Sequence, residues 1–185
     1  MADTKLVDMT ANASPALEDL VYTADDPSGT PLDRKVSLSD IRDLFELQHS
    51  HVKAQETDGA SISTATLTIV KFDSEIRDTL SEYNPATGVF TADADGIYLV
   101  NANLRFSIIT WALNKEISFR AYVEAAEVIR GTYFFAPVAD EYRAAVAIHT
   151  SIDLSAGEDL DLRIYHNSGV SLTIDDGYLT IDRIG

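Results

Sequence analysis

The hydrophobic rhythm of the chain changes at about residue 65. Beyond that point apolar and polar residues alternate, the spacing of strands with one face buried. TATLTIVKF begins the pattern. IYLVNANLRFSI sets Tyr98, Val100, Ala102, Leu104, Phe106 and Ile108 against Leu99, Asn101, Asn103 and Arg105. EISFRAYVE alternates through Ile117, Phe119, Ala121 and Val123, and AAVAIHTSIDL, DLDLRIYH and YLTIDRI follow the same rule. Turn formers separate them: Asn84-Pro85, Asp95-Gly96, Ala156-Gly157, Ser168-Gly169 and Asp176-Gly177. Several short alternating strands at this spacing predict an antiparallel β-sandwich or barrel over 65–185 and a mainly-β fold.

The first third reads differently. Residues 1–36 lack sustained periodicity and contain YTADDPSGTPLDRK, a string of turn formers. An extended arm is expected there. From 37 to 54, Ile41, Leu44, Phe45, Leu47 and Val52 make an apolar stripe at helical spacing, with Ser37 or Ser39 as cap. That pattern predicts one short helix. QETDGASIST, 55–64, is small and polar and reads as a linker into the sandwich.

Charge narrows the function. The 185 residues carry 30 acids against 14 bases, a formal net charge of -16. Acids outnumber bases along the whole length, so the surface repels phosphate backbones and nucleic acid is not an expected partner. With no cysteine, disulfides, thiolate metal sites and thiol nucleophiles are all excluded. No apolar run reaches the roughly 20 residues of a membrane span. The opening MADTKLVDMTANASPALEDL has acids where a secretory signal has bases, so synthesis and assembly in a cytoplasm are expected.

NPATGVFTADADGIYLVNANLRF carries a family likeness. Asn84-Pro85, Thr87 and Gly88 make a short turn, Phe90-Thr91 follow, and Gly96 and Tyr98 open a long strand. The stretch resembles the jelly-roll family of the globular complement head and the tumour necrosis factors. IVKFD at 69–73, LSAGEDLDLRIY at 154–165 and GYLTIDRI at 177–184 resemble that family's first, penultimate and closing strands. The resemblance implies a jelly roll over 65–185 that assembles as a homotrimer. Tyr122, Tyr133, Phe134, Phe135, Tyr142 and Tyr165 are then candidates for the trimer interface. Neighbours Phe134 and Phe135 cannot both face one core from a regular strand.

LEDLVYTADDPSGTPLDRKVSLSDI resembles the leader of many tailed-phage structural proteins: an apolar piece, an acidic Pro/Gly turn, a basic pair, then a Ser-Leu-Ser-Asp-Ile run. The likeness implies that Leu20, Val21, Tyr22, Arg34 and Lys35 dock the chain onto phage capsid or tail proteins at the virion surface.

Catalytic chemistry finds little footing. No nucleophile motif surrounds any serine, and with 30 acids some carboxylate pair always looks suitable. Asp93, Asp95, Asp175 and Asp176 lie in turns beside glycine and are the candidate calcium ligands, since calcium takes several oxygens. No other cofactor is expected. Trp111 is a candidate contact for a host glycan or protein, because aromatics anchor binding sites. The sequence therefore points to a trimeric, non-enzymatic head on a virion: a capsid decoration or head fibre, or alternatively a receptor-binding tail tip. A cellular complement-like or cytokine-like module is a further alternative.

Overall fold

The computed structural model describes residues 20–23, 34–37, 49–136 and 138–185. The chain divides into two compact units, 1–48 and 49–185. In the first, strands β1 (Leu20–Thr23) and β2 (Arg34–Ser37) pair antiparallel, with Val21 opposite Val36. The extended piece at Leu20–Tyr22 thus finds its partner fifteen or so residues downstream in its own arm.

The second unit is a sandwich of two antiparallel sheets. One sheet runs in the order β12 (Ala126–Phe135), β11 (Glu116–Val123), β15 (Asp159–His166), β8 (Val89–Thr91), β7 (Tyr83–Asn84), with β5 (Thr68–Ile69) also against β15. The other runs β14 (Ala145–Leu154), β9 (Gly96–Phe106), β16 (Leu172–Arg183), β3 (His51–Glu56), β6 (Ser74–Asp78), with β4 (Ser61–Ile62) against β16. A separate ribbon pairs β10 (Ile109–Trp111) with β13 (Asp140–Tyr142).

Strand β9 shows why these residues form strands. Tyr98, Val100, Ala102, Leu104 and Phe106 point between the sheets and are all 1% exposed or less. Ile117, Phe119 and Ala121 of β11 and Leu160, Leu162 and Ile164 of β15 meet them from the other side. The period-two pattern read from the sequence is the pattern of burial. Phe90 and Tyr98 meet edge to face at 5.4 Å between centroids. Tyr83 is buried too, and its hydroxyl accepts the Phe72 N–H at 2.9 Å. Burial pushes that hydroxyl's pKa up to about 12.

The turn that carried the family likeness closes as its residues require. Gly88 N–H donates to the Asn84 carbonyl at 2.8 Å, and Asn84 Oδ1 accepts Ala86 N–H at 3.0 Å. Gly88 has φ +77°, and a Cβ there would lie 2.5 Å from the Val70 carbonyl oxygen. Only glycine meets both conditions.

Two boundaries move. The helix expected over 37–54 is overturned at both described ends. Ser37 closes strand β2, and residues 51–54 lie in β3, paired to both β16 and β6. Residues 38–48 lie outside the described residues. HVKAQE alternates, with Val52, Ala54 and Glu56 buried, so one strand end was read as the tail of a helical stripe. The sandwich accordingly starts at His51, ahead of residue 65, and the supposed linker contributes Glu56 and strand β4. TATLTIVKF supplies only the two-residue β5, although Val70 and Phe72 are core residues.

At one side of the sandwich the two sheets nearly touch. A bulge in β12 lies between Arg130 and Tyr133, and Gly131 there faces β14. A Cβ on Gly131 would collide with the Ala147 carbonyl oxygen and the Ile148 side chain. Replacing Gly131 with alanine is expected to destabilise the domain by about 1–3 kcal/mol, the usual cost of overpacking. Urea unfolding measures it; an unshifted midpoint would mean that β12 retreats freely from β14.

Candidate binding surfaces

The outward face of the β12–β11–β15 sheet is built as rows of directly opposed residues. Arg163, Arg120 and Arg130 form one row across the three strands. Asp161, Tyr122 and Glu127 form the next, and Tyr165, Ser118 and Tyr133 flank the arginines on the other side. Like charges directly opposite repel. The neighbouring row offsets this. Asp161 receives Arg163 at 2.5 and 2.7 Å, and the guanidinium lies over the Tyr122 ring at 4.1 Å. Glu127 receives Arg120 at 3.0 Å and Arg130 at 2.9 Å. Burial pushes the Glu127 carboxyl up, but Arg130, Tyr122 and Arg120 together hold it below the usual range. Planar guanidinium groups suit such forked and stacked contacts.

The six aromatic residues expected at a trimer interface divide here. Tyr122, Tyr133, Phe135 and Tyr165 share this outward face. Tyr133 and Phe135 stack in near-parallel planes and are 46% and 44% exposed. Phe134 and Tyr142 pack inward beside Trp111, with Phe134 centroids 5.1 Å from Trp111 and 6.1 Å from Tyr142. The expectation that Phe134 and Phe135 part company holds: one packs against the core and the other faces out.

Trp111 is a correction. It is fully buried, and its Nε1–H donates to the Tyr142 carbonyl at 3.2 Å. The β10–β13 ribbon folds its indole beneath the surface, away from the exterior where a ligand contact was expected. Sequence alone does not reveal which side of so short a strand faces out.

The calcium candidates are not gathered. Asp93 and Asp95 lie before the start of β9, whereas Asp175 and Asp176 sit beside its far end. Asp175 accepts Arg143 at 2.7 Å, Asp176 pairs with Arg105, and Asp95 accepts Ala156 N–H at 2.7 Å. Among the described residues no three acids or histidines group to hold a metal. Leu20, Val21, Tyr22, Arg34 and Lys35 fall in β1 and β2, and only their backbone pairing is described.

A second surface went unnoticed in the sequence. The outward face of the β14–β9–β16–β3 sheet carries the rows His149–Asn101–Thr180–Lys53 and Ala147–Asn103–Tyr178–Gln55. Lys53 is the one charged residue among these eight, in a chain that is 24% charged. His149 and Asn101 hydrogen-bond at 3.0 Å within it. The two surfaces meet along one side of the sandwich, where β12 and β14 are the outer strands of their sheets.

The profile of the C1q domain matches residues 53–178, more than half of the chain. The chain belongs to the C1q domain family. Three solved structures show the same fold. The globular domain of zebrafish complement 1qA protein is 12% identical, with a TM-score of 0.56, covering 75% of this chain and 98% of that one. Murine APRIL is 13% identical, with a TM-score of 0.53, covering 74% and 100%. The Eiger TNF of S. frugiperda is 9% identical, with a TM-score of 0.51, covering 74% and 93%. No curated protein matches. This C1q-domain chain carries a binding or structural fold and is not an enzyme. C1q- and TNF-like domains form homotrimers. Among the described residues no helix is long and apolar enough to cross a membrane.

One buried histidine ties the end of β15 to β4. His166 is 0% exposed, with Nε2 3.0 Å from the Ile62 carbonyl and Nδ1 3.0 Å from Ser168 Oγ. Burial pushes its pKa below 6.5, partly countered by the Ile62 carbonyl. The unfolded chain thus takes up the proton before the folded one. The stability His166 contributes is fully present above about pH 6.5 and is lost as the pH falls toward its depressed folded value, at no more than about 1.4 kcal/mol per unit. Glu56 and Glu82, raised by burial, act in the opposite sense. Denaturation midpoints from pH 7 to 5 are expected to fall for the parent more than for His166→Gln; parallel curves would remove His166 as the cause.

Proposed function

We propose that this chain is a homotrimeric accessory structural protein on the exterior of a tailed-phage virion. Residues 1–36 dock to the particle, and the C1q-like sandwich projects outward as a capsid decoration or head fibre. The observation that carries the trimer is the open side of the sandwich. Two ten-residue strands, β12 and β14, end their sheets there side by side. Long open edges pair promiscuously unless covered. β12 exposes Val128, Tyr133 and Phe135, and β14 and β9 present the uncharged pairs Ala147–Asn103 and His149–Asn101 on the adjoining face. A neighbouring copy offers the small, uncharged residues of β14 and β9, and a heterologous contact of that kind closes into a three-membered ring when its rotation is threefold. Support for the virion comes from the leader-like run at 17–41 ahead of the head.

A receptor-binding tip is the second reading. It is favoured by Ile108, Leu113 and Val138, each more than half exposed around the β10–β13 ribbon. Continuing that ribbon's register sets Leu113 opposite Val138.

Light scattering of the purified chain is expected to give three times the protomer mass. Tyr133→Asp with Phe135→Asp is expected to yield folded monomers. A monomeric parent protein overturns the trimer. Removing residues 1–36 is expected to leave the trimer intact and abolish its binding to virions, and immunogold labelling of particles separates head from tail. Blocking of host adsorption by the free protein favours the tip.

A further inference from the structure

A pocket rimmed by charged side chains lies at the end of the sandwich where β3 finishes. Its walls hold three carboxylates, Glu56, Asp58 and Asp73, against one ammonium, Lys71. Asp58 and Lys71 are exposed and form the rim, while Glu56 is 4% exposed and lies at the floor. Glu56 Oε1 accepts the Ala60 N–H at 2.7 Å, and its Oε2 has no partner. A buried carboxylate oxygen left without a hydrogen bond is costly. Lys71 does not relieve it: among the described residues Lys71 makes no ion pair within 4.0 Å.

The donor set argues against a metal. Both oxygens of Asp73 are occupied by Thr57, through its N–H and its hydroxyl, each at 2.6 Å. One oxygen of Glu56 is taken as well, and calcium wants six to eight oxygens. What Glu56 Oε2 lacks is a hydrogen-bond donor, since the Lys71 ammonium at the rim does not reach it. The remaining wall is apolar, from Ala60, Pro85 and Ala86. An aliphatic stem carrying a cationic head matches this division, as lysine does when its methylenes lie along apolar surface.

We infer that this pocket receives an alkylammonium group, the side chain of a lysine presented by a partner polypeptide, with the Glu56 carboxylate turning its unpartnered oxygen toward the ammonium. The inference does not depend on where the protein is located. Asp58 and Asp73 add attraction without direct coordination, and Lys71 sets a limit on affinity by repulsion.

The test uses the full chain, labelled with nitrogen-15, titrated with Nα-acetyl-lysine methylamide and followed by amide chemical shifts. Saturable shifts are expected at residues 56–60, 71–73 and 86. The norleucine analogue, with the same stem and no charge, is expected to produce none. Glu56→Gln keeps the acceptor for Ala60 and is expected to weaken binding at least about tenfold, the worth of one charge-assisted hydrogen bond. Lys71→Met is expected to tighten it. Equal shifts from the norleucine analogue, unchanged affinity in Glu56→Gln, or no saturation with the lysine probe would each overturn the inference. So would displacement of the probe by equimolar calcium chloride, which would make the pocket a metal site.

Discussion

Everything in this domain hangs on the exclusion of water between two sheets, and β9 is where that constraint is tightest. Five of its eleven residues point into the gap and are essentially unexposed. Its two flanks are occupied along most of its length, by β14 on one side and β16 on the other. A slip of one residue would turn Tyr98, Val100, Ala102, Leu104 and Phe106 to water and bring Asn101, Asn103 and Arg105 inside. Burying those apolar side chains is worth roughly 1.5–3 kcal/mol for each large one. Register is therefore held by the core, and every surface row follows from it.

Those rows give the two faces different characters. On the β12–β11–β15 face, arginines, acids and tyrosines interlock, so that Tyr122 and Ser118 are covered although they point outward. Individually exposed ion pairs contribute little. Linked through Glu127 and Asp161, they hold side chains in fixed positions and leave few free to reorganise. On the opposite face the two middle rows, His149–Asn101–Thr180–Lys53 and Ala147–Asn103–Tyr178–Gln55, carry one charge between them, and charged Arg105, Asp176, Asp153 and Asp182 lie in the rows beyond. The first face offers exposed aromatics at its β12 edge, and the second offers small uncharged side chains on β14 and β9. That asymmetry suits an assembly in which each copy uses different surfaces toward its two neighbours.

Polar groups inside the sandwich mark its ends. His166 is satisfied by Ile62 and Ser168, whereas Glu56 and Glu82 each keep one oxygen without a partner. Buried acids of this kind are unfavourable for folding alone, since desolvation raises their pKa and penalises the charge. Glu82 accepts the Asp93 N–H and so constrains the turn ahead of β9. Glu56 differs because its pocket opens to solvent between acids and apolar walls.

The sequence by itself determined the alternating strands β9, β11, β14, β15 and β16, the sandwich and the family. All three are written in local alternation and in the turn chemistry of Asn84–Gly88, which neighbouring residues impose on one another. It also separated Phe134 from Phe135, because adjacent side chains in a strand must diverge. It could not decide β3. The apolar positions of residues 41–52 fit a helical stripe, and only pairing with β16 and β6 drew 51–56 into a sheet. Nor could it bury Trp111 or keep Asp93 and Asp95 apart from Asp175 and Asp176, since those outcomes depend on which strand ends meet. The neutral face, the arginine row and the pocket at Glu56 belong to the tertiary structure for the same reason. Each assembles residues from strands far apart in sequence, and only the registers set by the core bring them together.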